Sequence, residues 1–345
     1  MKTILNSLTL ALVLCLPGCR RGEPSLPAKG AIFVDSLYQT SLVRVSDKNL
    51  DNYSGHGIQN EYAKADAWNS DGSYLILRSN DGIFYLYSGT DYRLLRNLDP
   101  LGQGQELEPR WAVADPDRFY YLAATCLCRY TVSSGTIDTV HDFRNEFPTA
   151  SYVHTGVEGD ASTDQRYWAF MVADSSFELL AICVYDRLAD QVIGTRSVFP
   201  SPVNFVTMDA SGNHVVICYD TRPMQAFHRD FSHPVDFPTG ALGHSDVALT
   251  QTGADVMVYQ NIATDYIAAT DLETGIETNL LAIPFDVNPD IGLHISGNCI
   301  ATPGWVLVST YGAEQPPSGK QHSWMDNLLF MLALSDSARV IKLAQ

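Results

Sequence analysis

From residue 30 onward the apolar residues come in short runs, some strictly alternating and some apolar throughout, broken by Asp, Ser, Gly and Asn. No stretch sustains a helical period. The pattern predicts strands joined by tight turns. The strands recur as a unit: a polar lead-in, a strand, an S-D-G-like turn, a strongly apolar strand, then a strand–turn–strand hairpin. The turn and apolar strand read AWNSDGSYLILRS (67–79), WAVADPDRFYYLA (111–123), DASTDQRYWAFMV (160–172), TMDASGNHVVICY (207–219), ALTQTGADVMVYQ (248–260) and, more loosely, HISGNCIATPGWVLVST (294–310). Aligning Gly72, Asp117, Gln165, Gly212, Gly253 and Gly304 gives spacings of 45, 48, 47, 41 and 51 residues.

A four-stranded unit that is apolar on both faces is unstable alone. Radial stacking buries both faces and protects the strand edges, so the expected fold is all-β, a β-propeller with six clear four-stranded blades. A further pair of strands, GAIFVDSLYQTSLVRVSD (30–47), lacks an inner partner. It predicts a partial seventh blade, with six blades plus an N-terminal hairpin as the alternative.

The start of the chain has a different texture. Lys2 precedes an apolar run, Ile4 to Leu16, too short to span a bilayer comfortably as a helix. It ends in Leu16-Pro17-Gly18-Cys19, which resembles the lipobox of bacterial lipoproteins. The resemblance implies a signal peptide over 1–18, lipidation at Cys19, a polar tether over 19–29 and a propeller domain over 30–345. It also implies a place in the cell envelope, with Arg20 favouring the outer membrane and the lipid as the sole membrane contact. The formal charge is −17; Lys2 is the one charge in the signal segment, so the remainder carries −18. That balance excludes a nucleic-acid partner, which needs a basic face. Five cysteines remain besides Cys15 and Cys19, namely Cys126, Cys128, Cys183, Cys218 and Cys299, an odd number without disulfide spacing. They read as small buried hydrophobes. A monomer is expected.

Chemistry-bearing motifs of other kinds are absent. There is no phosphate-binding glycine loop, no G-x-S-x-G elbow, no zincin helix and no paired C-x-x-C. In a propeller the inner strands line the axis, so the residues leading into them gather at one mouth. Those are Tyr62 and Lys64, Glu108 and Arg110, Glu158 and Asp160, Asn204, His244 and Asp246, and His294. Convergent polar groups at a concave mouth make a candidate binding site, and a wet channel wall is the alternative. Glu108-Pro109-Arg110-Trp111 also reads as an internal ion pair with aromatic packing. Trp111 and Trp305 read as packing between blades. The Pro/Gly-rich segment 312–327 reads as an exposed loop near the mouth.

The repeats AWNSDGSYLIL, EPRW with ADPDRFYYL, EGDASTDQRYWAF, LGHSDVALTQTG, and HISGN with PGWVLVS resemble the WD-type propellers of the Tol system. They resemble oligogalacturonate-lyase-like propellers more closely. The second resemblance implies removal of a proton alpha to a uronic-acid carboxylate, with Arg222 as the matching arginine, His244 as the base and His294 as a ligand of a divalent metal, Mn or Ca. The partner would then be an acidic oligosaccharide. The Tol-type resemblance implies instead a non-catalytic propeller that binds a glycan or an envelope protein.

Overall fold

The computed structural model describes residues 26–345 apart from 103–104, 300, 313–320 and 336–338. The signal segment, Cys19 and half of the 312–327 loop therefore lie outside the described residues. Six antiparallel four-stranded sheets follow one another along the chain: blade 1 (58–97), blade 2 (110–142), blade 3 (152–196), blade 4 (203–236), blade 5 (241–282) and blade 6 (292–344). Each is a simple meander whose first strand is innermost. Together they form the propeller predicted by the repeat. The inner strands are Ile58–Gln59, Arg110–Trp111, Tyr152–His154, Val203–Met208, Ala241–Leu249 and Gly292–Ser296.

The repeat has a local cause. The aligned turn position has positive φ at Gly72, Gln165, Gly212, Gly253 and Gly304, a conformation glycine adopts without a Cβ penalty. Side-chain packing does the rest. Five apolar clusters fill the spaces between blades 1 and 2, 2 and 3, 3 and 4, 4 and 5, and 5 and 6. Tyr185, Phe119, Phe170, Phe205 and Phe330 are among the fully buried side chains in them. Trp111 packs between blades as expected, stacked on Tyr74 of blade 1 with its indole N–H donating to the Ala67 carbonyl at 2.9 Å.

The sixth junction is built differently, and it corrects the expectation of a partial seventh blade. Ile32–Val34 and Ser41–Val43 pair only with each other, and blade 6 supplies all four of its own strands. The outer face of blade 1 is a separate cluster, Tyr53, Leu75, Leu77, Tyr85 and Tyr87, covered by Val45 from the N-terminal segment. From the same segment, Tyr38 packs on the cluster of blades 5 and 6 and hydrogen-bonds Gln345 at 3.2 Å. Residues 28–53 thus wedge into the junction of blades 6 and 1 instead of forming a blade.

Cys126, Cys128, Cys183, Cys218 and Cys299 are all free thiols; Cys128, Cys183 and Cys218 are buried, the other two half-buried. Among the described residues no helix is long and apolar enough to cross a membrane.

Close approach at the axis depends on two glycines. A Cβ on Gly159 would lie 1.9 Å from the Val206 carbonyl oxygen, and one on Gly297 would lie 1.7 Å from that of Val247. Both obstructions are backbone of the neighbouring blade. Gly297→Ala should therefore destabilise the fold by about 1–3 kcal/mol, as overpacking does, read as a lower urea midpoint at unchanged slope.

Candidate functional site

The inner strands all run the same way along the channel, but the polar residues expected just ahead of them sit further along. Arg110, Asn204, His244, Asp246 and His294 lie within inner strands. Tyr62, Lys64, Glu158 and Asp160 follow Ile58–Gln59 and Tyr152–His154, because those strands begin earlier than the repeat suggested. Lys64, 4% exposed, extends across the axis from the segment that follows Ile58–Gln59 in blade 1. Its Nζ lies 2.8 Å from Glu158 Oε2 of blade 3 and 3.8 Å above the Phe205 ring of blade 4. The Asn298 amide of blade 6 donates to the Lys64 carbonyl at 2.5 Å. One residue therefore touches four blades.

Beside this pair stand Tyr62, His244 and His294. Tyr62 Oη is 2.8 Å from His244 Nδ1. The two imidazole centroids are 4.2 Å apart, and the Tyr62 ring meets His294 edge-on at 5.3 Å. Burial raises the pKa of the Tyr62 phenol, and the nearby Glu158 carboxylate raises it further. Either the phenol or the imidazole can donate in the Tyr62–His244 contact. Burial lowers the pKa of both imidazoles, and Lys64 lowers both further against the opposite pull of Glu158. His294 Nδ1 is buried and has no hydrogen-bond partner. His294 opens onto a cleft of about 400 Å³ at the junction of blades 6 and 1, lined also by Tyr62, Ser296 and Ser309. That volume suits a small-molecule site. It lies at the one junction that no blade-on-blade apolar cluster fills.

Deeper in the channel, Arg110 is committed to structure. Its guanidinium donates to Glu61 Oε2 at 2.5 Å, to the Gly159 carbonyl at 2.8 Å and to the Val157 carbonyl at 3.1 Å, with Asp160 Oδ1 at 3.7 Å. Burial pushes the Glu61 carboxyl up, and the guanidinium pulls against it. Glu108 is not the partner of Arg110. Its Oε2 accepts from the Thr155 amide at 2.9 Å and hydroxyl at 2.6 Å, and its Oε1 from the Val157 amide at 3.3 Å. The expected internal ion pair of Glu108-Pro109-Arg110-Trp111 is thus replaced by bonds outward to blades 1 and 3. Glu108 stands at φ 44, in the left-handed region, just before the strand begins at Arg110, so the alternation of a strand does not put the two side chains on one side.

Asp246 is buried, accepts from the Gly297 amide at 2.7 Å and the Val247 amide at 2.9 Å, and is pushed up to about 7 by burial, with Lys64 opposing. Asp160 lines a second cavity toward the far end with Asp66 and Asn298. Asn204 is exposed on the blade 4 inner strand. Arg222 lies in the loop after His214–Tyr219, on the same face as the mouth. Its guanidinium is 3.6 Å from Asp236 and 5.2 Å from the Tyr219 ring centroid. The structure thus brings Lys64, Glu158, His244 and His294 together, ties Arg110 to Asp160 one layer down, and leaves Asn204 and Arg222 at the rim. Sequence reasoning missed Glu61, hidden next to Tyr62 in a lead-in read for one partner only. It also missed Phe205, which no motif marks as a cation's platform.

The mouth does not hold a full set of metal ligands. His294 Nδ1 and His244 Nε2 are two available nitrogens, but among the described residues no third His, Cys, Asp or Glu completes the set there. One group of three does occur: His214, His228 and Glu273, with ligand atoms all within 4.8 Å of one another. It sits at the opposite end of the ring, where the inner strands finish.

No protein-family model matches the chain, and no curated protein matches its sequence. Solved structures do match. An oligogalacturonate lyase in complex with manganese aligns over 92% of this chain and 99% of its own, with TM-score 0.55 and 12% identity. An oligogalacturonate lyase from Vibrio parahaemolyticus aligns over 92% of this chain and 87% of its own, with TM-score 0.59 and 14% identity. The shared property is the propeller fold. At that identity it carries no residue role with it, because one fold hosts many activities.

Proposed function

We propose that this chain is a lipid-anchored envelope propeller, held through Cys19, whose mouth takes an acidic oligosaccharide and cleaves it by β-elimination with His244 as the base. The observation that carries the reading is His244 itself: burial lowers its pKa, and it is held 2.8 Å from Tyr62 Oη, next to a cleft that Tyr62 and His294 line. The proton alpha to the uronate carboxylate passes to Nε2. The electron pair it leaves forms the new double bond, and the glycosidic oxygen departs and takes a proton from water. Lys64 and Arg110 are already paired, so the substrate carboxylate falls to Arg222, whose contact with Asp236 is long and solvent-exposed. The lyase neighbours support the fold side of this reading.

A second reading, a non-catalytic propeller binding a glycan or an envelope protein, is favoured by one fact: among the described residues the mouth offers two imidazoles and no third ligand for the metal that the lyase resemblance implies. Incubation with oligouronides, with and without manganese or calcium, decides between them. Rising absorbance from unsaturated product, abolished in His244→Gln, supports cleavage. Because the lowered pKa keeps His244 neutral below 6.5, the acid limb of the rate profile should then fall below that pH. Calorimetric binding without product supports the second reading, and neither signal sinks both. Recovery of a Cys19→Ser variant from the soluble fraction, with the parent in membranes, tests the anchor.

A further inference from the structure

We propose that His214, His228 and Glu273 form a binding site for a divalent transition metal, zinc being the best fit, that staples blade 4 to blade 5 at the end of the propeller away from the mouth. The inference is independent of the glycan reading.

His214 and His228 face each other as paired residues of adjacent strands in blade 4, and Glu273 comes from the turn before the last strand of blade 5. His214 Nε2 lies 3.0 Å from Glu273 Oε2, and His228 Nε2 lies 3.4 Å from the same oxygen. A tetrahedral ion about 2.1 Å from its N and O ligands sets those ligands roughly 3.4 Å apart. Two of the three edges therefore already match such an ion, and the third, between the two histidines, lies within 4.8 Å, with the fourth position left for water.

The protonation logic points the same way. His214 Nδ1 is 2.7 Å from Asp209 Oδ2, and Asp209 is fully buried. A carboxylate there fixes the proton on Nδ1 and turns the Nε2 lone pair outward, the arrangement that commonly orients a metal-binding histidine. Nε2 then faces a carboxylate oxygen, acceptor against acceptor, at 3.0 Å. A proton on Nε2, which turns it into a donor, makes that contact favourable, and so does a metal ion. A proton would satisfy one of the two imidazole contacts, whereas a metal satisfies both and the carboxylate together. His233 stacks on His228 at 4.4 Å between centroids and braces its ring. The site is reachable, since the Glu273 side chain is 67% exposed. Two imidazoles and one carboxylate select zinc, cobalt, nickel or copper over calcium and magnesium, which prefer all-oxygen sets.

The test is titration of the full chain with zinc chloride by calorimetry, alongside metal analysis after dialysis and a thermal scan. One zinc per chain and a raised melting temperature reversed by EDTA are expected. Cobalt substituted for zinc should show the strong visible bands of a tetrahedral site. Glu273→Gln and His228→Gln change exposed or half-exposed side chains, so both should fold. Each should weaken zinc by at least about 100-fold, whereas His244→Gln and His294→Gln should leave it unchanged. Equal zinc uptake by the Glu273→Gln and His228→Gln variants, or no uptake by the parent, would overturn the proposal. So would loss of this zinc in the mouth variants alone, which would move the metal to the other end of the channel.

Discussion

Arg110→Met should lower the unfolding free energy by about 3–5 kcal/mol, the range seen when one member of a buried ion pair is removed and the other is left uncompensated. Arg110 is 7% exposed and Glu61 is 8% exposed. Removing the guanidinium strands the Glu61 carboxylate and also leaves the Val157 and Gly159 carbonyls without their donor. The loss is therefore larger than the pair alone, because a single side chain of blade 2 closes contacts to blade 1 on one side and blade 3 on the other. Urea denaturation measures it. The double variant Glu61→Leu with Arg110→Met should recover part of the loss, since apolar replacement of both charges removes the desolvation cost along with the attraction. A single-variant loss below about 1 kcal/mol would show that water reaches Glu61 and that the pair is not a buried one.

Lys64→Met should cost about 3 kcal/mol, at the low end of the same range, because Glu158 keeps 16% exposure and can be partly rehydrated. The substitution also has an electrostatic consequence at the site. Lys64 lowers the pKa of His244 and Glu158 raises it. Taking away the cation leaves the carboxylate unopposed, so the His244 titration midpoint should move up. The sign for stability follows. A histidine with lowered folded pKa contributes stability that is complete above the unfolded value near 6.5 and is lost as pH falls through the folded value. In Lys64→Met that acid loss should shrink for His244, even as the overall fold is weaker. Titration of the His244 ring proton by NMR checks the shift. A midpoint that stays put would mean that Lys64 and His244 do not share a field.

The contrast between these two residues and their sequence signals shows where reading the chain worked. That Lys64, Arg110, Glu158, His244 and His294 face the channel was legible in the repeat, because radial stacking turns the first strand of each unit to the axis. Their level along the axis was not, since Arg110 lies a layer below the others and none of them stands ahead of its inner strand. Nor were their partners. Arg110 sits two residues from Glu108 yet bonds Glu61, 49 positions earlier. Lys64 finds Glu158, Phe205 and Asn298 on three other blades. Local spacing carries no information about which blade lies across the axis.

The N-terminal strands make the same point for the fold. Their alternation is that of a hairpin, and a hairpin is what they form. Whether it joined the ring depended on whether blade 6 already had four strands, a property of residues some 300 positions away.

By itself, then, the amino-acid pattern determined the strand order within each unit, the turns that need positive φ, the radial stacking and the face that gathers polar groups. These follow from short-range sterics and from the burial of two apolar faces per sheet. The tertiary structure alone decided that six blades close the circle with a wedge at the last junction, which charges neutralise one another, and that two histidines of blade 4 meet a glutamate of blade 5. Those outcomes depend on distances between residues far apart in the chain, and only closing the ring fixes such distances.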